Sequence, residues 1–274
     1  MENINGCQGK IKIPLLIGSA GTCGTDKSVD WFFEITKELA RELNQKIKIT
    51  LLKCSQSKKD INKAFLSKNL FPLSNAPKIS SKKIINCTNI VGLAGVEQIT
   101  EAINTNADII ICGRSTDASL IASLPIMNGV DKAVAWHAGK IGECGAFCTT
   151  NPKSGVILIS FKKNGFFIKP VSNNTKVTPY TVSAHMVYEN SNPFTLIEPG
   201  GCLDVKKAIY EKQKDGSVYV TGANWVQDTN YKIKLEGTHV VGYQSISMVL
   251  IRDESYVKNI NKWSKQVKNK VKEI

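Results

Sequence analysis

The stretch Ala107-Asp108-Ile109-Ile110-Ile111-Cys112-Gly113-Arg114-Ser115-Thr116-Asp117-Ala118-Ser119-Leu120-Ile121 sets the expected fold. A short, unbroken apolar run suits a strand covered on both faces, because such a strand has no solvent side to keep polar. Gly113 ends the run, and helical sequence resumes over 117–125. Outward from this unit the alternation recurs. Strands are expected at 11–17, 47–52 and 84–91, and helices at 29–43, 58–66, 96–104 and 132–148, with a Pro-, Ser- and Asn-rich loop at 70–82. This order predicts an α/β fold, a parallel, Rossmann-like sheet with helices on both faces and right-handed crossovers.

Past residue 150 the pattern changes. Segments 155–161 and 165–170 read as a hairpin, Thr178 and Pro179 open a helix over 178–189, and 212–216 is the turn of a second hairpin. Segments 231–235 and 240–251 read as strands, and 253–274 as a lysine-rich amphipathic helix. The sequence is therefore divided into an α/β core, 1–150, and a smaller α+β part, 151–274.

Composition narrows the function. The chain has 274 residues and a formal net charge of +13, but its 36 basic residues comprise 33 Lys and only Arg41, Arg114 and Arg252. Arginine is the residue suited to bidentate phosphate and base contacts, so dispersed lysines point away from nucleic acid. Eight cysteines with no C-x-x-C spacing, several within apolar runs, suggest reduced buried thiols. No apolar run approaches the roughly 20 residues of a membrane span, and the first residues lack a signal-peptide pattern. A cytoplasmic protein with neither membrane nor nucleic-acid partner is expected.

Chemistry is expected first at the strand ends, where open α/β sheets bind ligands. The loop Gly18-Ser19-Ala20-Gly21-Thr22-Cys23-Gly24-Thr25-Asp26 joins a strand to a helix. Its Gly18, Ser19, Gly21, Thr22 and Gly24 can bring backbone amides close to a phosphate or carboxylate. The alternative is a turn capped by Thr25 or Asp26. Neither a dinucleotide fingerprint nor a Walker spacing is present. Arg114, Ser115 and Thr116 follow the next strand, and Arg114 suits a two-pronged grip on an anion; alternatively it pairs with Asp117.

The third candidate is 131–148, where Gly139, Gly142 and Gly145 predict close approach of another surface. His137, with Asp117 or Glu143, is the expected proton-transfer group; alternatively His137 is a core residue. Zinc held by His137, Cys144 and Cys148 fits no standard spacing, and no metal site is expected. Weaker candidates are His185, Tyr188, Glu189 and Asn190, the turn Glu198-Pro199-Gly200-Gly201, and Cys23 as a nucleophile.

Five collinear segments carry a family resemblance: IGSAGTCGTDKSVDW (17–31), ADIIICGRSTDASLIASLPIMNG (107–129), AWHAGKIGECGAFC (135–148), TPYTVSAHMVYENSNPFTLIEPGGCLD (178–204) and YKIKLEGTHVVGYQSISMVLIRD (231–253). The chain resembles the acyclic terpene utilisation AtuA family over residues 11–255. The resemblance implies a cytoplasmic bacterial protein in the catabolism of acyclic terpenes and of other branched or carboxylic-acid substrates handled as CoA esters. It transfers no assigned active site, but it marks the loops already selected. Similar members carry a further portion ahead of the 18–24 loop, so a protein partner supplying that portion is expected.

The expected function is a catabolic enzyme acting on a small carboxylic acid or its CoA thioester by lyase, hydratase or isomerase chemistry. The alternative is a non-catalytic subunit or scaffold of a multi-chain enzyme. Arg114 and the 18–24 loop would hold the anion. No redox-cofactor fingerprint appears, so hydride transfer is not expected and the cofactor is left unassigned. The expected partners are the carboxylate or acyl-CoA ligand, the protein supplying the N-terminal portion, and further copies in a homo-oligomer.

Overall fold

A computed structural model describes residues 13–73, 76–188, 190 and 192–272. The chain divides into two units, Met1–His239 and Val240–Ile274. The larger unit opens with β1 (Leu15–Ile17), α1 (Asp26–Glu42), β2 (Ile49–Leu52), α2 (Lys58–Leu66), α3 (Ser81–Asn86), β3 (Asn89–Gly92), α4 (Val96–Asn104), β4 (Ile109–Cys112), α5 (Asp117–Met127) and α6 (Lys132–Gly142). It continues with β5 (Ile157–Lys162), β6 (Gly165–Pro170), α7 (Pro179–His185), β7 (Thr195–Glu198), β8 (Gly201–Asp204), β9 (Ile209–Lys212), β10 (Val218–Thr221), β11 (Asn224–Gln227) and β12 (Leu235–Thr238).

The β4 strand is the centre of a parallel sheet in the order β1-β4-β2. All four of its residues are buried. Alternation sends Ile109 and Ile111 to one face, against Val29, Phe32 and Phe33 of α1, and Ile110 and Cys112 to the other, against Ile99, Ala102 and Ile103 of α4. Helices therefore cover both faces, as expected. The large Rossmann-like sheet is not what forms: three strands are parallel, and the later strands pair antiparallel as β5-β6-β10-β9 and β11-β8-β7. The strands β3 and β12 also pair antiparallel. The fold is mixed α/β.

The largest core crosses the change of character at residue 150. It joins Val96, Trp136 and Ile141 to Phe166, Leu203 and Val218, and the Trp136 and Trp225 rings stack at 5.2 Å. The division by packing falls instead between His239 and Val240. Three local expectations change. Residues 84–86 are helical, because Ser80 caps α3 through the Lys83 amide. The 132–148 helix ends at Gly142 and gives way to a 3-10 turn, Gly145–Cys148. The strand expected over 231–235 forms one step later as β12.

In the smaller unit, residues 240–251 run without a strand partner, followed by α8 (Glu254–Lys258) and α9 (Ile260–Lys272).

The glycine expectation separates by position. A methyl at Gly139 would overlap the Ala118 carbonyl oxygen, whereas at Gly142 and Gly145 it would meet the Cδ1 tips of Ile121 (2.6 Å) and Ile157 (2.5 Å). Backbone cannot turn aside, and a side-chain tip can. Gly139→Ala should therefore cost about 2 kcal/mol net of its helix-propensity gain, and Gly142→Ala less than about 1 kcal/mol. Chemical denaturation of the two variants reads the difference; equal losses would contradict it.

Candidate functional site

The two strand-end loops meet directly. The Ser19 amide donates to the Gly113 carbonyl (3.2 Å), and the Arg114 amide to the Gly24 carbonyl (2.9 Å). The contact needs glycine: Gly24 has φ +59°, and a methyl there would overlap the Arg114 backbone. Gly21, Ser19 and Thr22 also lie at positive φ, +63°, +45° and +68°. For a β-branched residue such as Thr22 this is strained, and strain of this kind concentrates at functional sites. Thr25 caps α1 through the Ser28 amide (3.3 Å), so the expected cap and the close approach coexist.

Side chains extend this junction. The Arg114 Nη1 donates to Ser19 Oγ (2.8 Å), and Ser19 Oγ donates to Asp117 Oδ1 (2.9 Å). Arg114 and Asp117 stand 3.8 Å apart. The Arg114 Nε is bound to Glu236 Oε2 of β12 at 2.9 Å, and Lys234 holds the other Glu236 oxygen at 2.8 Å. Burial works against charge on Glu236, but hydrogen bonds from Arg114 and Lys234 outweigh it and lower its pKa. The expected two-pronged grip is thus partly engaged by the protein itself.

A second group adjoins the first through the start of α5. Thr116 is the N-cap residue, yet its side chain makes no capping bond; its Oγ1 donates to Glu198 Oε2 at 2.6 Å. Lys140 stands between two carboxylates, 2.8 Å from Glu143 and 3.8 Å from Glu198. Burial raises the pKa of both Glu143 and Glu198, against the pull of Lys140. Burial also opposes charge on Lys140, but Glu143 and Glu198 outweigh it and raise its pKa. One ammonium between two buried carboxylates favours keeping a proton on the pair. Asp117 adds its negative charge to the field at both glutamates. His185 is buried beside this group; burial, then Lys140, lowers its pKa. Ser115 Oγ and His185 Nδ1 are buried without a hydrogen-bond partner.

The structure thus brings together Ser19, Arg114, Thr116, Asp117 and Glu143, with Gly18, Gly21, Thr22 and Gly24 shaping the adjoining loop. It places His137 differently. That residue is wholly buried, 5.5 Å from the Phe166 ring, with Nε2 3.1 Å from Tyr210 Oη, and burial lowers its pKa to about 3. A neutral imidazole enclosed by aromatic rings matches the core alternative rather than proton transfer. Glu198 and Lys140 were visible only as neighbours of other motifs. Glu236 gave no signal, because its partner Arg114 is far away in sequence. Cys23 is exposed, whereas burial raises Cys54 to about 11 and Cys112 and Cys148 to about 12, as suits inert thiols. Glu189 lies outside the described residues.

The family described as Acyclic terpene utilisation family protein AtuA matches residues 10–274. The chain belongs to the AtuA family. No curated protein and no solved structure matches it. Among the described residues of this AtuA-family chain, no group of three or more His, Cys, Asp or Glu is arranged to hold a metal ion. No described helix is long and apolar enough to cross a membrane. Two cavities, about 260 Å³ beside Phe167 and Lys169 and about 410 Å³ beside Glu97 and Lys132, do not include the polar cluster.

Proposed function

We propose that this AtuA-family chain is a cytoplasmic catabolic enzyme that moves a proton on a small carboxylic acid or its CoA thioester, in a lyase, hydratase or isomerase reaction. The observation that carries this reading is Lys140 held between Glu143 and Glu198, with Thr116 tying Glu198 to the Arg114 loop. A carboxylate of the pair takes a proton from the carbon beside the acyl carbonyl. The Lys140 ammonium faces the oxygen on which negative charge then collects, the kind of preorganised charge that lowers such barriers. The protonated partner returns a proton to a neighbouring carbon or to a departing oxygen. Arg114 and the amides of the 18–24 loop supply the anion-holding end. Proton transfer passes from His137, enclosed in the core, to the glutamates.

The test is deuterium uptake. The protein is incubated in heavy water with short branched acyl-CoA thioesters and their free acids, and the recovered compounds are weighed by mass spectrometry. Uptake by at least one compound is expected, falling about a hundredfold or more in Glu198→Gln, the scale of general acid–base catalysis. No uptake from any compound would sink the reading. Uptake unchanged in Glu198→Gln would leave the reaction but remove this carboxylate from it.

A further inference from the structure

We propose that residues 240–251 are a β-augmentation strand that pairs antiparallel with the same segment of a second copy of this chain. The segment reads VVGYQSISMVLI and carries neither proline nor a charged side chain. Its backbone takes part in no strand ladder among the described residues. Val241, Tyr243, Ile246, Met248 and Leu250 are 89%, 100%, 87%, 91% and 90% exposed, and Val240 and Val249 64% and 67%. Extended backbone with unpaired amides and apolar side chains is the form that invites another strand.

Both faces are apolar. Alternation places Ile246, Met248 and Leu250 on one side and Val241, Tyr243, Val249 and Ile251 on the other. The described part of the unit is too small to enclose such a strand by itself. Its helix α9 has the complementary form: Ile260, Trp263, Val267 and Val271 share one face, with Lys262, Lys265, Lys268 and Lys272 turned away. Val267 and Val271 remain 41% and 65% exposed.

A second copy is the occupant that the chemistry selects. An uncharged segment needs an uncharged counterpart with free backbone amides, and the segment supplies one to its own copy. Antiparallel self-pairing keeps both apolar faces in register wherever facing residue numbers sum to an even value, as when Ile246 faces Ile246 or Met248. The seven exposed side chains amount to on the order of 1,000 Å² per chain, so covering them in two copies reaches the range of stable dimers. The lysines stay on the outer helix faces, where salt screens their mutual repulsion.

The full chain is measured by light scattering and sedimentation over a wide concentration range, beside Ile246→Lys/Met248→Lys. The expected result is a wild-type dimer that dissociates on dilution and a double variant that is monomeric with an unchanged melting temperature. Ile246→Cys and Ser247→Cys, oxidised and digested, should yield a peptide disulfide-linked to its own copy for one of the two. A monomeric wild type, a dimer that survives the double substitution, or an open-ended aggregate would overturn the proposal. So would a monomeric protein whose 240–272 region instead binds vesicles of anionic phospholipid. None of these outcomes depends on the deuterium assay.

Discussion

The variant Lys140→Met is expected to unfold about 3 kcal/mol more easily at neutral pH than the native protein, and by distinctly less in acid. Removing one partner of a buried ion pair leaves its counter-charges uncompensated, a change that costs several kcal/mol. Here two carboxylates are stranded, and the Glu198 side chain is only 7% exposed. The sign of the pH dependence follows from the raised pKa values of Glu143 and Glu198. A carboxyl that holds its proton more tightly when folded contributes stability in full below its unfolded pKa, and that contribution is lost as pH rises through the folded value. Without Lys140 both folded values climb further, so the loss extends over a longer span of pH. The gap between native and variant should therefore widen from acid to neutral. Urea denaturation at a series of pH values measures it. A gap constant with pH, or widest in acid, would show that Lys140 stabilises through its methylene stem rather than its charge.

The second large effect is expected at Gly24→Ala, with a loss of about 3 kcal/mol. Two contributions combine: left-handed backbone at φ +59° and overlap with the backbone of Arg114. Gly129→Ala separates them. Gly129 has φ +81° with nothing within 4 Å of the added methyl, so it should lose only about 1 kcal/mol. Thermal melts of the pair decide: similar losses would mean that conformational strain, not the approach of the two loops, makes Gly24 necessary.

Much of the fold was legible because its signals are local. The Ile109–Cys112 run, the Gly113 stop and the periodicity of 96–104 each report on a few neighbouring residues, and each element forms. The count of parallel strands was not legible, since pairing partners are chosen across the whole chain. Segment 84–91 misled because two adjacent isoleucines suit either structure, and the Ser80 cap, lying inside an apparent loop, settles the matter. Segment 240–251 has strand-like sequence, but no local signal says whether a partner strand is at hand. At the site, the strand-end loops could be chosen from a general property of parallel sheets. The partners that give them their electrostatics could not: Glu198 and Glu236 arrive from β7 and β12, through folding of distant segments. His137 shows the opposite failure. Its spacing beside Lys140 on α6 looked chemical, but sheet residues Phe166 and Tyr210 enclose it.

The contact between Gly139 and Ala118 has a consequence for binding. Ala118 follows Asp117, and Gly139 precedes Lys140, so the tightest touch between α5 and α6 lies one residue from each of two charged groups in the cluster. The rotational freedom of those groups relative to one another is given up when the chain folds. A molecule arriving later meets side chains already in place, and its affinity is not diminished by the entropy of assembling them. Loosening that single helix contact would return the disorder to the moment of binding.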